Sequence, residues 1–412
     1  MKTESIQHRK WITKCFMALL TFCLVLTGIF FIAPIEAEAA TLPSIYFDNE
    51  EEFNAYYGYE PLTESTYELT ADRTIDNTYC GYIIPSGENV TINGNGHTIY
   101  IIDDDPGLNN RDMTLFKVSS SATLTLNNVN IVVRKFVSTN TYNDFANIID
   151  TDLYSVVNVN NCTIDGSENE ITRGYLARIA PTATFTATST TFRNWVMCYG
   201  YDAPIVNKGL LTLKGCTFDN ENSNYGSDFS SAGAIYQYGT TTYEDGGKSY
   251  TYKPRMYISG NTTFDGCMGE EAGAILIEDG GYENYISETN GGQIVFKNCY
   301  SSSGGGGALR VGATENGTHI YGNVVFQDNW TFGKGGAIYG SNMWIGRQGT
   351  SRVTIKDNSA RTYGGGIAAI DKVYLGRVDV TGNTAGRDDA DYDWWDSYTS
   401  GGGIYTEGLL AV

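Results

Sequence analysis

The sequence predicts an all-β chain, a right-handed single-stranded parallel β-helix (solenoid) with a short N-terminal cap, and three observations carry that prediction. First, a small-residue phrase closed by an aliphatic recurs six times: Ala232-Gly233-Ala234-Ile235, Ala272-Gly273-Ala274-Ile275, Gly306-Gly307-Ala308-Leu309, Gly335-Gly336-Ala337-Ile338, Gly364-Gly365-Gly366-Ile367 and Gly401-Gly402-Gly403-Ile404. Second, a β-rich run ending in a turn precedes each copy, as in Phe296-Lys297-Asn298-Cys299, Phe326-Gln327-Asp328-Asn329 and Ile355-Lys356-Asp357-Asn358. Third, the closing aliphatics lie 40, 34, 29, 29 and 37 residues apart. A period of roughly 20–50 residues marks a stacked architecture. A coil tolerates such uneven spacing as insertions at its corners, and the phrase is too short for a four-stranded propeller blade.

The elements follow in chain order. Residues 1–39 read as a signal peptide. Lys2, Arg9, Lys10 and Lys14 form a basic start, residues 15–33 are almost uninterruptedly apolar, and Ala37-Glu38-Ala39 is a small-x-small cleavage pattern. A membrane anchor is the competing reading, because about 19 apolar residues suffice to span a bilayer. Residues 40–85 lack the repeat and are predicted to cap the open end of the solenoid, with a short amphipathic helix over 49–57 that sets Phe53, Tyr56 and Tyr57 on one side. The repeats occupy 86–412, and the last copy of the phrase lies close to the final residue, as in a truncated array. Val90-Thr91-Ile92-Asn93-Gly94-Asn95-Gly96-His97-Thr98-Ile99 reads as strand, turn and strand. The runs at 124–131, 157–164, 185–192 and 211–218 repeat that grammar, apolar residues alternating with Thr, Asn or Ser as in a strand with one buried face.

Charge bounds the partners. The chain holds 27 Lys+Arg against 47 Asp+Glu, and removing the first 39 residues leaves 23 against 44. Nucleic acid and anionic lipid call for basic patches, so neither is an expected partner, and no membrane association is expected after signal cleavage. Six cysteines follow the signal: Cys80, Cys162, Cys198, Cys216, Cys267 and Cys299. Cys267 and Cys299 fall where other repeats place Asn329, Asn358 and Asn383, and Cys162 and Cys216 share a local pattern. Stacked buried thiols in an inward column are therefore expected over a disulfide framework, with a Cys267–Cys299 bridge the alternative, since neighbouring coils stand about 4.8 Å apart.

Most insertions follow the small-residue phrase, at 236–253, 278–292, 312–318 and 340–349; a further one, 387–400, precedes it. Insertions gathered on one edge of a solenoid often form its binding face. They carry Tyr236, Tyr238, Tyr243, Tyr250, Tyr252, Tyr282 and Tyr285, and Tyr offers a flat apolar body with a polar tip. Packing of these rings onto the coil is an equally weighted reading. The last insertion carries Trp394 and Trp395, candidates for carbohydrate stacking, and Asp389, Asp391 and Asp393, whose spacing resembles the start of a calcium loop. That loop lacks the Gly and Glu an EF-hand requires. A solvated acidic loop is the plainer reading, no cofactor is called for, and calcium is the one cation the spacing suits.

The paired phrases, foremost Phe326 to Asn329 with Gly335 to Ile338, resemble the repeats of the chlamydial polymorphic membrane proteins. More broadly the chain resembles pectate-lyase-like right-handed β-helix adhesins of bacterial surfaces. The resemblance covers roughly residues 80–412 and implies a secreted or cell-surface protein that binds host protein or carbohydrate without catalysis. The same fold houses pectate lyases and polygalacturonases, so a polysaccharide lyase or glycoside hydrolase acting on acidic glycans is the first alternative. Asp103-Asp104-Asp105 is the one candidate carboxylate cluster near the first coil, the Gly-His-Gly and Arg-x-Lys pattern is not found, and only His97 and His319 follow the signal. A structural spacer of a larger surface protein is the second alternative.

Overall fold

The computed structural model describes residues 40–43, 59–76, 81–102, 114–134, 147–166, 175–195, 203–220, 230–386 and 401–412. The signal peptide, the helix expected over 49–57, Cys80, Cys198, the Asp103 cluster and the 387–400 loop lie outside these residues.

Alternating apolar and polar residues put one side of each short strand inside, and stacking then determines the architecture. Three parallel sheets run the length of the molecule. Sheet 1 has 13 strands, from Ala40–Thr41 to Leu409–Ala411. Sheet 2 has 11, from Arg73–Asp76 to Val378–Thr381. Sheet 3 has 12, from Tyr59–Pro61 to Ile404–Thr406. Each coil visits sheet 3, then sheet 1, then sheet 2, so successive strands of one sheet come from successive coils. This is the parallel β-helix the sequence predicts.

Like stacks on like. Ile99, Ile131, Ile164, Phe192, Phe218, Phe264, Phe296, Phe326, Ile355 and Val380 are register partners in turn along sheet 2. The closing aliphatics of the phrase make the matching column of sheet 3: Ile235, Ile275, Leu309, Ile338, Ile367 and Ile404. All but Val380 and Ile404, each in the last strand of its sheet, are buried. The side chains meet inside one continuous core.

The small residues have separable reasons. The first Gly of the phrase turns left-handed, with φ of 75, 72, 62 and 68° at Gly306, Gly335, Gly364 and Gly401. Only Gly takes that conformation without steric cost. The second Gly faces the next coil so closely that a Cβ on Gly307 or Gly336 would lie 2.0 Å from a carbonyl oxygen. Between sheets 2 and 3 these coils add a fourth ladder of two-residue strands, from Met268–Gly269 to Thr384–Ala385.

Two expectations shift. The ladders begin before residue 86: Tyr59–Pro61, Thr66–Glu68, Arg73–Asp76 and Gly81–Ile84 already pair with the coil that follows. Much of the stretch expected to be cap is thus solenoid, and Leu42 and Leu62 are fully buried there. The Tyr82 hydroxyl donates to the Pro43 carbonyl at 2.8 Å, tying residues 40–43 to the coil. The cysteines, for their part, occupy two columns. Cys162 and Cys216 alternate with Thr190 and Thr262 just ahead of sheet 2, and Cys267 and Cys299 extend the Asn column just after it. All four are buried free thiols. The neighbouring Cys299 thiol, together with burial, pushes the Cys267 thiol well above its ordinary range.

Candidate functional site

The insertions expected on one edge resolve into different things. Residues 278–292, 312–318 and 340–349 are mostly corner turns together with the sheet 1 strands Asn284–Glu288, Thr318–Gly322 and Met343–Ile345. Among the described residues, only the first, 236–253, is a true excursion. It is an antiparallel hairpin, Thr241–Asp245 with Lys248–Tyr252, inserted between sheets 3 and 1. Its tip is Gly246-Gly247, with φ of 56 and 74°, the pair of positive angles that a tight two-residue turn needs.

Three of the expected tyrosines lie on the hairpin and two at its root. Tyr243 and Tyr250 are cross-strand partners with ring centroids 5.5 Å apart. Tyr250 is 42% exposed, whereas burial raises the Tyr252 phenol above its ordinary range at the hairpin's base. Tyr236 and Tyr238 lie where the chain leaves sheet 3, their rings 5.0 Å apart. The Tyr236 hydroxyl donates to Glu278, and Lys208 sits 4.2 Å over the Tyr238 ring. Tyr282 stands apart from this group, with the Arg255 guanidinium 4.5 Å from its centroid.

Tyr285 belongs to another feature. On the outer face of sheet 1, Tyr257, Tyr285, His319, Trp344 and Tyr374 are register partners in successive coils. Their rings stack at 5.6, 4.9, 4.9 and 5.3 Å, with interplanar angles of 12° or less. The stacking consumes both faces of Tyr285, so only its edge and hydroxyl remain for a partner. The stripe is packed from beneath at one point, since a Cβ on Gly317 would fall 1.6 Å from the Trp344 ring. Sequence reasoning missed the stripe because Tyr, His and Trp share no motif. The available signal was register: each occupies the same place in its strand.

Sequence reasoning also missed Tyr154. It lies 91 residues ahead of the hairpin, yet its hydroxyl donates to the Asp245 carboxylate at 2.8 Å. Hydrogen bonding with Tyr243 and then Asp245 raises the Tyr154 phenol above its ordinary range.

Charge is arranged along the coils as well. Arg193 meets Asp165 at 2.6 Å and Lys297 meets Asp265 at 2.5 Å on the outer face of sheet 2. Arg310 pairs with Glu271 and also faces Tyr339. Much of the scarce positive charge is thus engaged by the solenoid itself. Among the described residues no group of three or more His, Cys, Asp or Glu is placed to hold a metal ion. Asp389, Asp391, Asp393, Trp394 and Trp395 lie outside the described residues.

With this geometry in hand, the comparisons with known proteins add one finding. The model of the Chlamydia polymorphic membrane protein repeat matches residues 323–341. That stretch is one strand of sheet 2, Val324–Gln327, the fourth-ladder strand Trp330–Thr331 and the phrase leading into Ile338–Gly340. A search of curated proteins finds no match to the chain. The class defined is therefore a parallel β-helix carrying a repeat of that bacterial surface-protein type. Structurally the repeat extends past the matched residues, because the fourth ladder continues from 268 to 385.

Proposed function

We propose that this chain is a secreted or cell-surface bacterial β-helix protein that binds a host protein or glycan non-catalytically through its tyrosine-bearing edge. The observation that carries the reading is the hairpin: an exposed aromatic element laid outside the regular described coils of the solenoid. Rigid scaffolds displaying loops are a recurrent design for recognition, and Tyr supplies contact area at low conformational cost. The matched surface-protein repeat supports the cellular context. The acidic surface favours a neutral or basic partner over an anionic one.

The test is a matrix-protein and glycan array probed with the chain, with and without calcium, each bound glycan also being assayed for cleavage. Replacing residues 241–252 by a two-residue turn is expected to abolish binding while the β-sheet circular dichroism is unchanged. Binding that survives the replacement removes the hairpin from the site, and turnover of a bound glycan replaces the adhesin reading with the lyase or hydrolase one.

A further inference from the structure

We propose that Tyr154 is the docking post of the hairpin, a positioning residue that holds the tyrosine edge against the solenoid from three coils away. The role as part of a binding face rests on the function proposed above; the docking itself does not.

The backbone supplies the first argument. Gly87, Ser121, Tyr154 and Thr182 each stand two residues ahead of a sheet 1 strand, at the same corner of successive coils. Their φ angles are 82, 61, 62 and 67°. The corner demands a left-handed residue, which small side chains meet at least cost. A bulky ring there is an outlier, and Tyr154 is 42% exposed.

The ring's contacts supply the second. The hydroxyl donates to Asp245 Oδ2 at 2.8 Å, and the neighbouring Tyr243 adds to the upward push on the Tyr154 phenol. Both residues belong to the hairpin strand Thr241–Asp245, one near its middle and one beside the turn.

Dimensions supply the third. Between Val156–Asn160 and Arg255–Ser259, the strand that follows the hairpin, sheet 1 advances by three steps. Three steps at about 4.8 Å come to about 14 Å, and five extended residues at about 3.4 Å reach about 17 Å. The hairpin therefore lies back along the corner with its tip at Tyr154. The Lys208–Tyr238 contact fills the space between at 4.2 Å.

An isolated two-stranded hairpin is marginal in water. Without the post, this one is fixed mainly at its base, near Thr241 and Tyr252. The direction in which Tyr250 points is then no longer set.

The experiment compares the full chain with Tyr154→Phe and Asp245→Asn. Amide hydrogen exchange is read over 241–252 and over the sheets, alongside the array described above. For Tyr154→Phe, exchange in the hairpin is expected to rise roughly tenfold while the sheets stay protected. Asp245→Asn keeps an acceptor oxygen and is expected to stay within about threefold of the parent. Unchanged hairpin exchange in Tyr154→Phe overturns the post, as does loss of protection throughout the sheets. If the hairpin loosens but array binding equals the parent's, the post stands and its service to binding is refuted. If the parent binds nothing on the array, the binding-face reading falls while the exchange data still decide the post.

Discussion

The coils between residues 81 and 220 and those between 262 and 386 share three sheets and one core, yet they are built differently. In the first set the path from sheet 2 to sheet 3 runs through residues outside the described part, and the inward columns are mainly aliphatic. In the second set that path lies within the described residues. It carries the fourth ladder, the stacked glycines and a buried amide column. Asn329, Asn358 and Asn383 each accept, through Oδ1, the backbone N–H of the equivalent residue one coil earlier. Their Nδ2 groups donate to Phe296, Phe326 and Ile355 carbonyls. A solenoid coil must be apolar inside, and many residues satisfy that. A tight corner fixes both φ and hydrogen bonding, and few residues do. The glycines and amides of these corners are what make the small-residue phrase recur through the second set, where the family match falls.

The largest effect concerns aromatic stacking, in a column that runs from Phe192 and Phe218 of the first set into Phe264, Phe296 and Phe326 of the second. Phe296 lies between Phe264 and Phe326 at 4.6 and 4.7 Å, its ring nearly parallel to both. Phe185 is equally buried, but its register partners are Val157 and Leu211. Either Phe→Ala change costs about 3–5 kcal/mol from burial and cavity formation. Two ring pairs add about 1–3 kcal/mol for Phe296. Urea midpoints of the two variants measure the gap; equal losses would show that the stack contributes nothing beyond burial.

Next is the amide column. Asn358→Ala leaves the Asn329 backbone N–H and side-chain amide without their shared acceptor, in a site with no exposure. An unsatisfied buried polar group costs about 1–3 kcal/mol, so a loss on the order of 2–3 kcal/mol is expected. The half-buried Asn158 of the first set donates one weak bond, to Thr125 at 3.4 Å, and its Ala variant is expected within about 0.5 kcal/mol of the parent. Thermal melts of both variants decide the contrast.

The smallest effect is a pH dependence belonging to the first set. Burial raises the Cys162 thiol to about 11, against opposing backbone hydrogen bonds. In the unfolded chain the thiol ionises first, so its contribution is complete below about pH 9 and is lost as pH rises toward about 11. The loss is on the order of 2 kcal/mol. Cys162→Ala is expected to flatten stability against pH over that window, and an unaltered slope sinks the assignment.

The comparison also says what was legible in the sequence. Ile338 and Ile367 could be aligned by eye because Gly-Gly fixes their place, and the structure stacks them as expected. Tyr59-Glu60-Pro61 and Thr66-Tyr67-Glu68 are strands without a repeat phrase, too short to show alternation, so the start of the solenoid was set too late. The five tyrosines of 236–253 were found because their segment visibly exceeds the coil. Tyr285 was grouped with them by composition, and only the register with Tyr257 and His319 reveals the stripe. No local pattern joins Tyr154 to Asp245; that link exists only once sheet 1 has advanced three steps from one to the other.

The stripe makes the rod its own strain gauge. Each coil of a solenoid touches only its neighbours, so pulling along the axis first widens the step between coils. Trp344 is held between His319 at 4.9 Å and Tyr374 at 5.3 Å. Its emission depends on those two contacts, and a widened step at either side changes it before any sheet has come apart. A surface protein under tension would thus announce the first separated coil optically, from a residue placed there by packing alone.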